Sequence, residues 1–431
     1  MKLRNFLLSW CSLCLKFLNR HFSTKIIIKA FVGAFLLANF IFLSLLENSL
    51  ADFCSPFLTL AGIYIIINLP RAGFFTAGFF TGILWFYWIS FSFIYYELSF
   101  LIPFVIIFVG LIYGLIFWLA SFPSFVALRA VMLFLVSYIH PFGFNWLNLE
   151  ATLVLGIFEP SVRGLIFVFL AAIALACLPK IYKFIAAFVC LVCALQFHTP
   201  AYKSLPFKIK LENTQISQDL KWQKEMKNEF INENLALIER AIDGNFTAIV
   251  LPESAFPLFM THEKNLVAEL KEKSHQITII AGALAYEDKL SYNSTFVFSD
   301  GQMTRLDKFI LVPFGEEIPL PKFIKDTINR LFFSGASDFA TASSVSDYEL
   351  AGAKIRNAIC YEATRDELFS GEFDAMIAIT NNGWFVPSTE PALQRLLLKY
   401  YATKYVKAIY HSVNGSPSEI ITPKISVFDK F

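Results

Sequence analysis

The chain has 431 residues, 56% of them hydrophobic and 16% charged, with a net charge of +2 and a mean hydropathy of +0.57. Soluble domains carry about 25% charged residues, so an ordinary soluble protein is excluded. The near-neutral balance, with Lys and Glu scattered rather than clustered, gives no basis for a nucleic-acid partner.

The apolar excess is confined to the first half. About a dozen charged residues lie between His21 and Thr199, whereas from Ala201 onward the density is that of a soluble domain. The shift divides the chain into a transmembrane domain, residues 1–200, and a second domain, residues 201–431. At the N-terminus Phe6, Leu7, Trp10, Leu13 and Phe17 lie among Lys and Arg, as in an interfacial helix or an extension of the first span. A spanning helix needs about 20 apolar residues, with shorter runs possible, and seven candidates follow, the second of them short: 25–46, 54–69, 73–96, 100–121, 123–140, 162–178 and 181–197. The fifth carries Arg129, the one clear mid-span ionisable residue, so the bundle reads as an anchor and apolar wall rather than a conduction path.

Lys2, Arg4, Lys16, Arg20 and Lys25 mark the N-terminus as cytoplasmic, and Arg71, Lys180 and Lys183 fall in loops of the same side. Glu47, Asp52 and Glu97 fall in the alternate loops. Seven crossings then put everything after Phe197 outside the cytoplasm, which in a two-membrane bacterium means an inner-membrane protein facing the periplasm. The loop from Pro141 to Pro160, with Phe142, Phe144, Trp146 and Leu147, reads equally as an interfacial anchor or as a lipid-facing rim beside an active site.

Cys11/Cys14 and Cys190/Cys193 form C-x-x-C pairs inside apolar stretches with no further ligand nearby; with Cys54 and Cys177 they read as inert packed thiols. Cys360 alone lies in the second half, either as buried filler or as a nucleophile.

Beyond Phe207 short β-rich runs alternate with helical stretches. Strands are predicted at 207–211, 247–251, 277–283, 292–298, 353–360 and 375–380. Helices are predicted at 222–242, 266–274, 365–369 and 390–405. This order implies an α/β domain with open sheets. H-E-x-x-H, G-x-S-x-G and Gly-rich phosphate loops are absent from the sequence. What stands out instead is a set of strand ends with polar residues. LPESAFP puts Glu253 after one apolar run, and DKFILVPFGEEIP brackets another with Lys308 and Glu316. NAICYEA ends a strand at Cys360, followed by Tyr361 and Glu362; NNGWF ends another with Asn381, Asn382, Trp384 and Phe385. Active sites gather at strand carboxyl ends in open α/β sheets.

A thiol with a pKa of about 8.5 needs a base or a cation to attack an acyl carbonyl. A carboxylate such as Glu253 can take its proton. A Lys ammonium can stabilise the resulting oxyanion, where losing one donor typically costs about 2.7–4 kcal/mol. Each residue alone is more often an ordinary solvated side chain; their joint occurrence carries the weight.

These motifs resemble the nitrilase superfamily, and, placed after seven apolar spans, its membrane-embedded branch, the apolipoprotein N-acyltransferases. ISQDLKW, ending at Trp222, resembles the family's segment at the start of the domain. The resemblance implies an αββα sandwich and a Glu–Lys–Cys triad: Glu253 as general base, Lys308 as oxyanion stabiliser and Cys360 as nucleophile. It implies Glu316 as a supporting acid, with Tyr361 and Glu362 shaping the nucleophile's surroundings. Trp222, Trp384 and Phe385 are expected to line the lipid and peptide site, with Trp146 from the apolar loop as a further substrate-binding residue.

The implied reaction is ping-pong acyl transfer from a phospholipid, phosphatidylethanolamine above all, through a cysteine thioester to the α-amine of a diacylglyceryl-cysteine apolipoprotein. It needs no metal or diffusible cofactor, and a monomer suffices. Two departures from the family pattern accompany it. No apolar run follows Ile421, so the further C-terminal transmembrane helix of family members is not expected; and Val386 stands where Gly commonly follows the Trp-Phe pair. A membrane-tethered amidase, in which water resolves the thioester, would use the same triad. A truncated inactive relic is the non-enzymatic alternative.

Overall fold

A computed structural model describes residues 22–313, 315–317 and 339–430. The amphipathic stretch predicted before residue 20 and the Cys11/Cys14 pair lie outside the described residues. The chain divides into two compact units.

The first unit runs up to Ser90 and then takes in Phe100–Ile139 and Leu147–Phe197. Its helices are α1 (Thr24–Ser44), α2 (Ser49–Ile67), α3 (Arg71–Phe86), α4 (Ile102–Ala120), α5 (Val126–Leu135), α6 (Val162–Cys177) and α7 (Tyr182–Ala194). Counting their 3-10 extensions, the helical stretches Thr24–Ser44, Ser49–Ile67, Arg71–Tyr96 and Ser99–Ala120 are long and apolar enough to cross a membrane; three others are shorter. Asn48 starts α2 by accepting from the backbone N–H groups of Leu50 and Ala51.

Small residues let these helices approach closely. A Cβ on Gly62 of α2 would stand 2.9 Å from the Gly33 carbonyl oxygen of α1. Asn39 of α1 donates to Thr59 of α2 at 3.1 Å. Arg129 gives its Nε to the Pro123 carbonyl at 2.7 Å and Nη1 to that of Leu69 at 3.2 Å. Its charge is thus spent on uncapped main-chain oxygens, which is a structural use.

The second unit comprises Phe91–Ser99, His140–Trp146 and the chain from His198 onward. Its strands are β1 (Ile209–Leu211), β2 (Asn213–Thr214), β3 (Ala248–Val250), β4 (Phe256–Phe259), β5 (Thr278–Glu287), β6 (Leu290–Ser299), β7 (Gln302–Asp307), β8 (Asp347–Leu350), β9 (Ala353–Ile359), β10 (Ala375–Asn381), β11 (Ala408–Asn414) and β12 (Glu419–Ile421). They form two six-stranded sheets. One has the order β1-β3-β5-β6-β7 with β4 on β5; the other has the order β12-β11-β10-β9-β8 with β2 on β11. Strands β1, β3 and β5 run parallel, and so do β9, β10 and β11.

Alternation along the strands explains the layering. In β3 and β5 the residues Ala248, Val250 and Ile280 join Ile355, Ile359, Ile377 and Tyr410 of the other sheet in one core. Their neighbours Ile249, Ile279 and Ala281 face outward, against α9 (Lys227–Asp243) and α10 (Lys264–Lys273). Helix α11 (Glu390–Tyr405) packs on β11 and β12. Helix, sheet, sheet and helix make an αββα sandwich. Strands β2, β4, β7, β8, β11 and β12 are additions to the predicted set.

Gly282 in the middle of β5 is required by closeness. A Cβ there would meet Ser254 N at 2.5 Å and Glu253 Cα at 2.6 Å, both main-chain atoms that cannot swing away. Gly282→Ala is therefore expected to push the Glu253 turn outward and cost about 1–3 kcal/mol, read as a lowered thermal midpoint of the purified protein; an unchanged midpoint refutes the close fit.

Candidate active site

Glu253, Lys308 and Cys360 follow β3, β7 and β9 respectively, and the second sheet adds Asn381 at the end of β10. Local geometry decides how each side chain is presented. Cys360 has φ +56°, a left-handed conformation that a non-glycine residue adopts only when its surroundings enforce it. Strand β9 turns there directly into a 3-10 helix, Cys360–Thr364.

Glu362 holds that turn. Its Oε1 accepts from Ile359 N at 2.8 Å, and its Oε2 accepts from Phe309 N at 2.9 Å and Ile310 N at 3.0 Å. The same carboxyl thus ties the cysteine turn to the segment just after Lys308. Burial pushes Glu362 up to about 7, against the pull of Lys308 and of its three N–H donors.

Glu253 is 7% exposed. Its Oε1 accepts from Asn293 Nδ2 at 2.7 Å and its Oε2 from the Asn381 backbone N–H at 2.8 Å. The Asn293 amide also donates to Glu316 Oε1 at 2.8 Å, bridging two carboxyl groups. Glu316 Oε2 in turn accepts from Val312 N at 2.9 Å and lies 2.6 Å from Lys308 Nζ. Lys308 is wholly buried.

The charges respond as this geometry requires. Burial raises the Glu253 carboxyl above its ordinary value and Glu316 adds to the rise, while Lys308, the Asn293 amide and Lys221 oppose it. Burial works against the Lys308 ammonium, but Glu316, Glu253, Cys360 and Glu362 outweigh it and hold the proton on. The half-buried Cys360 thiol is pushed well up, first by burial and then by Glu253, with Lys308 opposing. It is protonated at rest, and its ionisation needs an acceptor.

The remaining predicted residues are placed as follows. Tyr361 is 2% exposed; its hydroxyl donates to the Gly143 carbonyl at 3.1 Å, and its ring stacks on Phe144. Trp146 is 3% exposed and donates Nε1 to Thr364 Oγ1 at 2.7 Å, while Asn145 Nδ2 donates to the Thr364 carbonyl at 2.7 Å. The indole of Trp146 therefore braces the end of the cysteine turn. Trp384 stacks on Tyr96 and meets the edge of Tyr95, whose hydroxyl donates to Gly383 O. Phe385 is half-buried, and Trp222 stands 44% exposed.

Sequence reasoning missed several neighbours. Asn293 was visible only as a polar residue in the run at 292–298. Gln394 points its Nε2 at Cys360 Sγ from 4.0 Å, and Glu390, one helical turn earlier, is buried and acts on the thiol. Both sit on a helix that the pattern had located without indicating which face meets the cysteine. The charged groups that bear most on the thiol among the described residues are Glu253, Lys308, Glu390 and Glu316, rather than a histidine. His411 instead shares Nε2 with Thr380 Oγ1 at 2.7 Å, and burial drives it down to about 3.

The chain is similar to known proteins along most of its length. The model of the apolipoprotein N-acyltransferase integral membrane domain matches residues 23–197. The apolipoprotein N-acyltransferase of Wolinella succinogenes is 41% identical over 396 residues, spanning 91% of this chain and 95% of its own. That of Campylobacter jejuni is 39% identical over 427 residues, spanning 98% and 96%. Among solved structures, a CN-hydrolase superfamily protein from Xanthomonas campestris aligns at 15% identity over 48% of this chain and 76% of its own, with a TM-score of 0.37. A nitrilase superfamily member from Saccharomyces cerevisiae aligns at 18% identity over 53% and 86%, with a TM-score of 0.38. Near full-length identity to two curated relatives decides the matter: the chain belongs to the apolipoprotein N-acyltransferase family.

Proposed function

We propose that Cys360, Glu253 and Lys308 form the acyl-transfer centre of this enzyme. It takes a fatty acyl chain from a membrane phospholipid and passes it to the N-terminal α-amine of a diacylglyceryl-cysteine lipoprotein. The observation that carries the reading is electrostatic: Glu253 and Lys308 both act on the Cys360 thiol, and Lys308 acts on Glu253. A protonated thiol beside a carboxyl whose affinity for protons is raised is the pairing general-base catalysis asks for.

In the first half-reaction Glu253 accepts the Sγ proton as the sulfur attacks the ester carbonyl carbon. The carbonyl electron pair moves to oxygen, which Lys308 stabilises. Collapse breaks the C–O bond, the departing alkoxide takes the proton from Glu253, and a lysophospholipid leaves a thioester on Cys360. In the second half-reaction the acceptor amine, neutral in useful fraction because α-amines titrate near about 8, attacks the thioester and gives a proton to Glu253. Collapse breaks the C–S bond, and the thiolate recovers that proton.

Glu316 and Asn293 position the carboxyl and ammonium groups. Glu362, Tyr361 and Trp146 hold the cysteine turn, and Trp222, Trp384 and Phe385 supply apolar surface for lipid. A phospholipid donor, with phosphatidylethanolamine the first to test, fits an enzyme with so much membrane-length helix, since two acyl chains keep the donor in the bilayer. We assign the chain to a bacterial inner membrane, acting as a monomer with residues 201–431 on the periplasmic side.

Incubation with phospholipid bearing a labelled acyl chain is expected to give a hydroxylamine-sensitive adduct on Cys360. Cys360→Ser should lose at least about a thousand-fold in turnover and show no such adduct; equal labelling of the variant refutes the nucleophile. A second outcome concerns pH. Because the folded Glu253 carboxyl lies above its ordinary 4.5, its basic form is lost as pH falls through that raised value. The rate of adduct formation is therefore expected to begin its decline at a pH above 4.5. A rate that stays flat down to 4.5 removes Glu253 from the role of base.

A further inference from the structure

The short helix α8 (Gln218–Lys221) turns polar side chains inward. Gln218 is 5% and Lys221 1% exposed, whereas the neighbouring Leu220 and Trp222 are 42% and 44% exposed. This inverts the usual sorting, since a lysine is almost never fully buried without a partner. Both buried side chains lead to Glu253. Lys221 Nζ donates to the Glu253 main-chain oxygen at 3.1 Å. Gln218 Oε1 accepts from Asn381 Nδ2 at 2.9 Å, and the Asn381 backbone N–H donates to Glu253 Oε2. One turn of helix thus grips both the main chain and the outer carboxyl oxygen of this residue.

We infer that Lys221 is a positioning residue, a second buried ammonium that keeps Glu253 ionised and ready for the Cys360 proton. The inference rests on the proposed role of Glu253 as base. Besides Lys221, the titratable groups facing Glu253 are Lys308, Glu316, Cys360 and Glu390. Burial, and Glu253 after it, push the Glu390 carboxyl well above its ordinary range, and Lys308 already stands 2.6 Å from Glu316. Lys308 bears on Glu253 more strongly but is shared with that carboxyl, and Lys221, held on the Glu253 main-chain oxygen, adds a second positive charge that faces no other acid so closely. Burial loosens the Lys221 proton to about 8 while Glu253 pulls it back, so the ammonium predominates at neutral pH. Trp222 is the next residue, so a lipid or peptide settling on the exposed indole touches the chain one peptide bond from this charge.

Alkylation of Cys360 by iodoacetamide, resolved by peptide mass spectrometry on the full-length protein in detergent across pH, tests this without a lipid substrate. Lys221→Met is expected to move the acid limb upward by about one pH unit and slow alkylation several-fold at neutral pH. Lys221→Arg is expected to return the limb toward the parent position. Gln218→Met cuts the other link without altering charge and is expected to leave the limb in place. A parent profile with no acid limb, a Lys221→Met profile superimposable on the parent, or an equal displacement by Gln218→Met overturns the inference. Should Lys221→Met fail to accumulate, Lys221→Gln carries the same comparison. The labelled-phospholipid assay answers separately whether acyl transfer occurs, so either result stands without the other.

Discussion

A carboxylate withdrawn from water at a strand end has to be surrounded by donors or surrender its charge. Glu253 is surrounded. An amide from β6, a backbone N–H from the end of β10, and the ammonium groups of Lys308 and Lys221 all bear on it. From that requirement the rest of the arrangement follows. Asn293 carries the contact to Glu316, Glu316 carries it to Lys308, and Glu362 links the segment after Lys308 to the cysteine turn. The chain of contacts runs from the first sheet to the second, so sheet packing and side-chain ionisation are one problem. A shift of either sheet edge would leave buried polar atoms without partners, and each such atom costs about 1–3 kcal/mol.

The sandwich supplies the stiffness this needs. The parallel strands β3, β10 and β11 are buried along their whole length, and Ile249, Ile279, Ile355 and Ile377 pack into the cores that hold them. Rigid strand ends allow strained loops, and Cys360 sits in such a loop at positive φ. Its conformation is sustained by the three N–H groups that converge on Glu362, two of which come from a different strand's exit. Strain at the nucleophile and satisfaction at Glu362 are complementary parts of one turn.

Much of this was legible in the sequence because apolar periodicity reports burial directly. The seven apolar stretches all carry helices, and β3, β5 and β10 coincide with runs rich in Val, Ile and Ala. Strand β11 was missed for the opposite reason. Its residues are all buried, yet His411, Ser412 and Asn414 interrupt the apolar run, and their polar atoms are met by Thr380, by Glu212 and Val250 carbonyls, and by Asn381. Partners supplied from distant chain segments leave no periodic trace. Glu253, Lys308 and Cys360 could be named because each stands just beyond a readable strand. Asn293, Lys221 and Gln394 could not, since their importance lies in a direction of approach that only the folded chain defines.

The unit that contains Cys360 also draws on residues encoded much earlier, Phe91–Ser99 and His140–Trp146. Gly143, Asn145 and Trp146 together satisfy Tyr361, Arg365 and Thr364. The change in composition near residue 200 is therefore a poor place to sever the gene. A fragment starting there would be colinear with the strands but would arrive without the fasteners of its own nucleophile turn, leaving the Thr364 hydroxyl and carbonyl to find water instead. Genetic dissection of such a protein has to respect a module that is discontinuous in the reading frame.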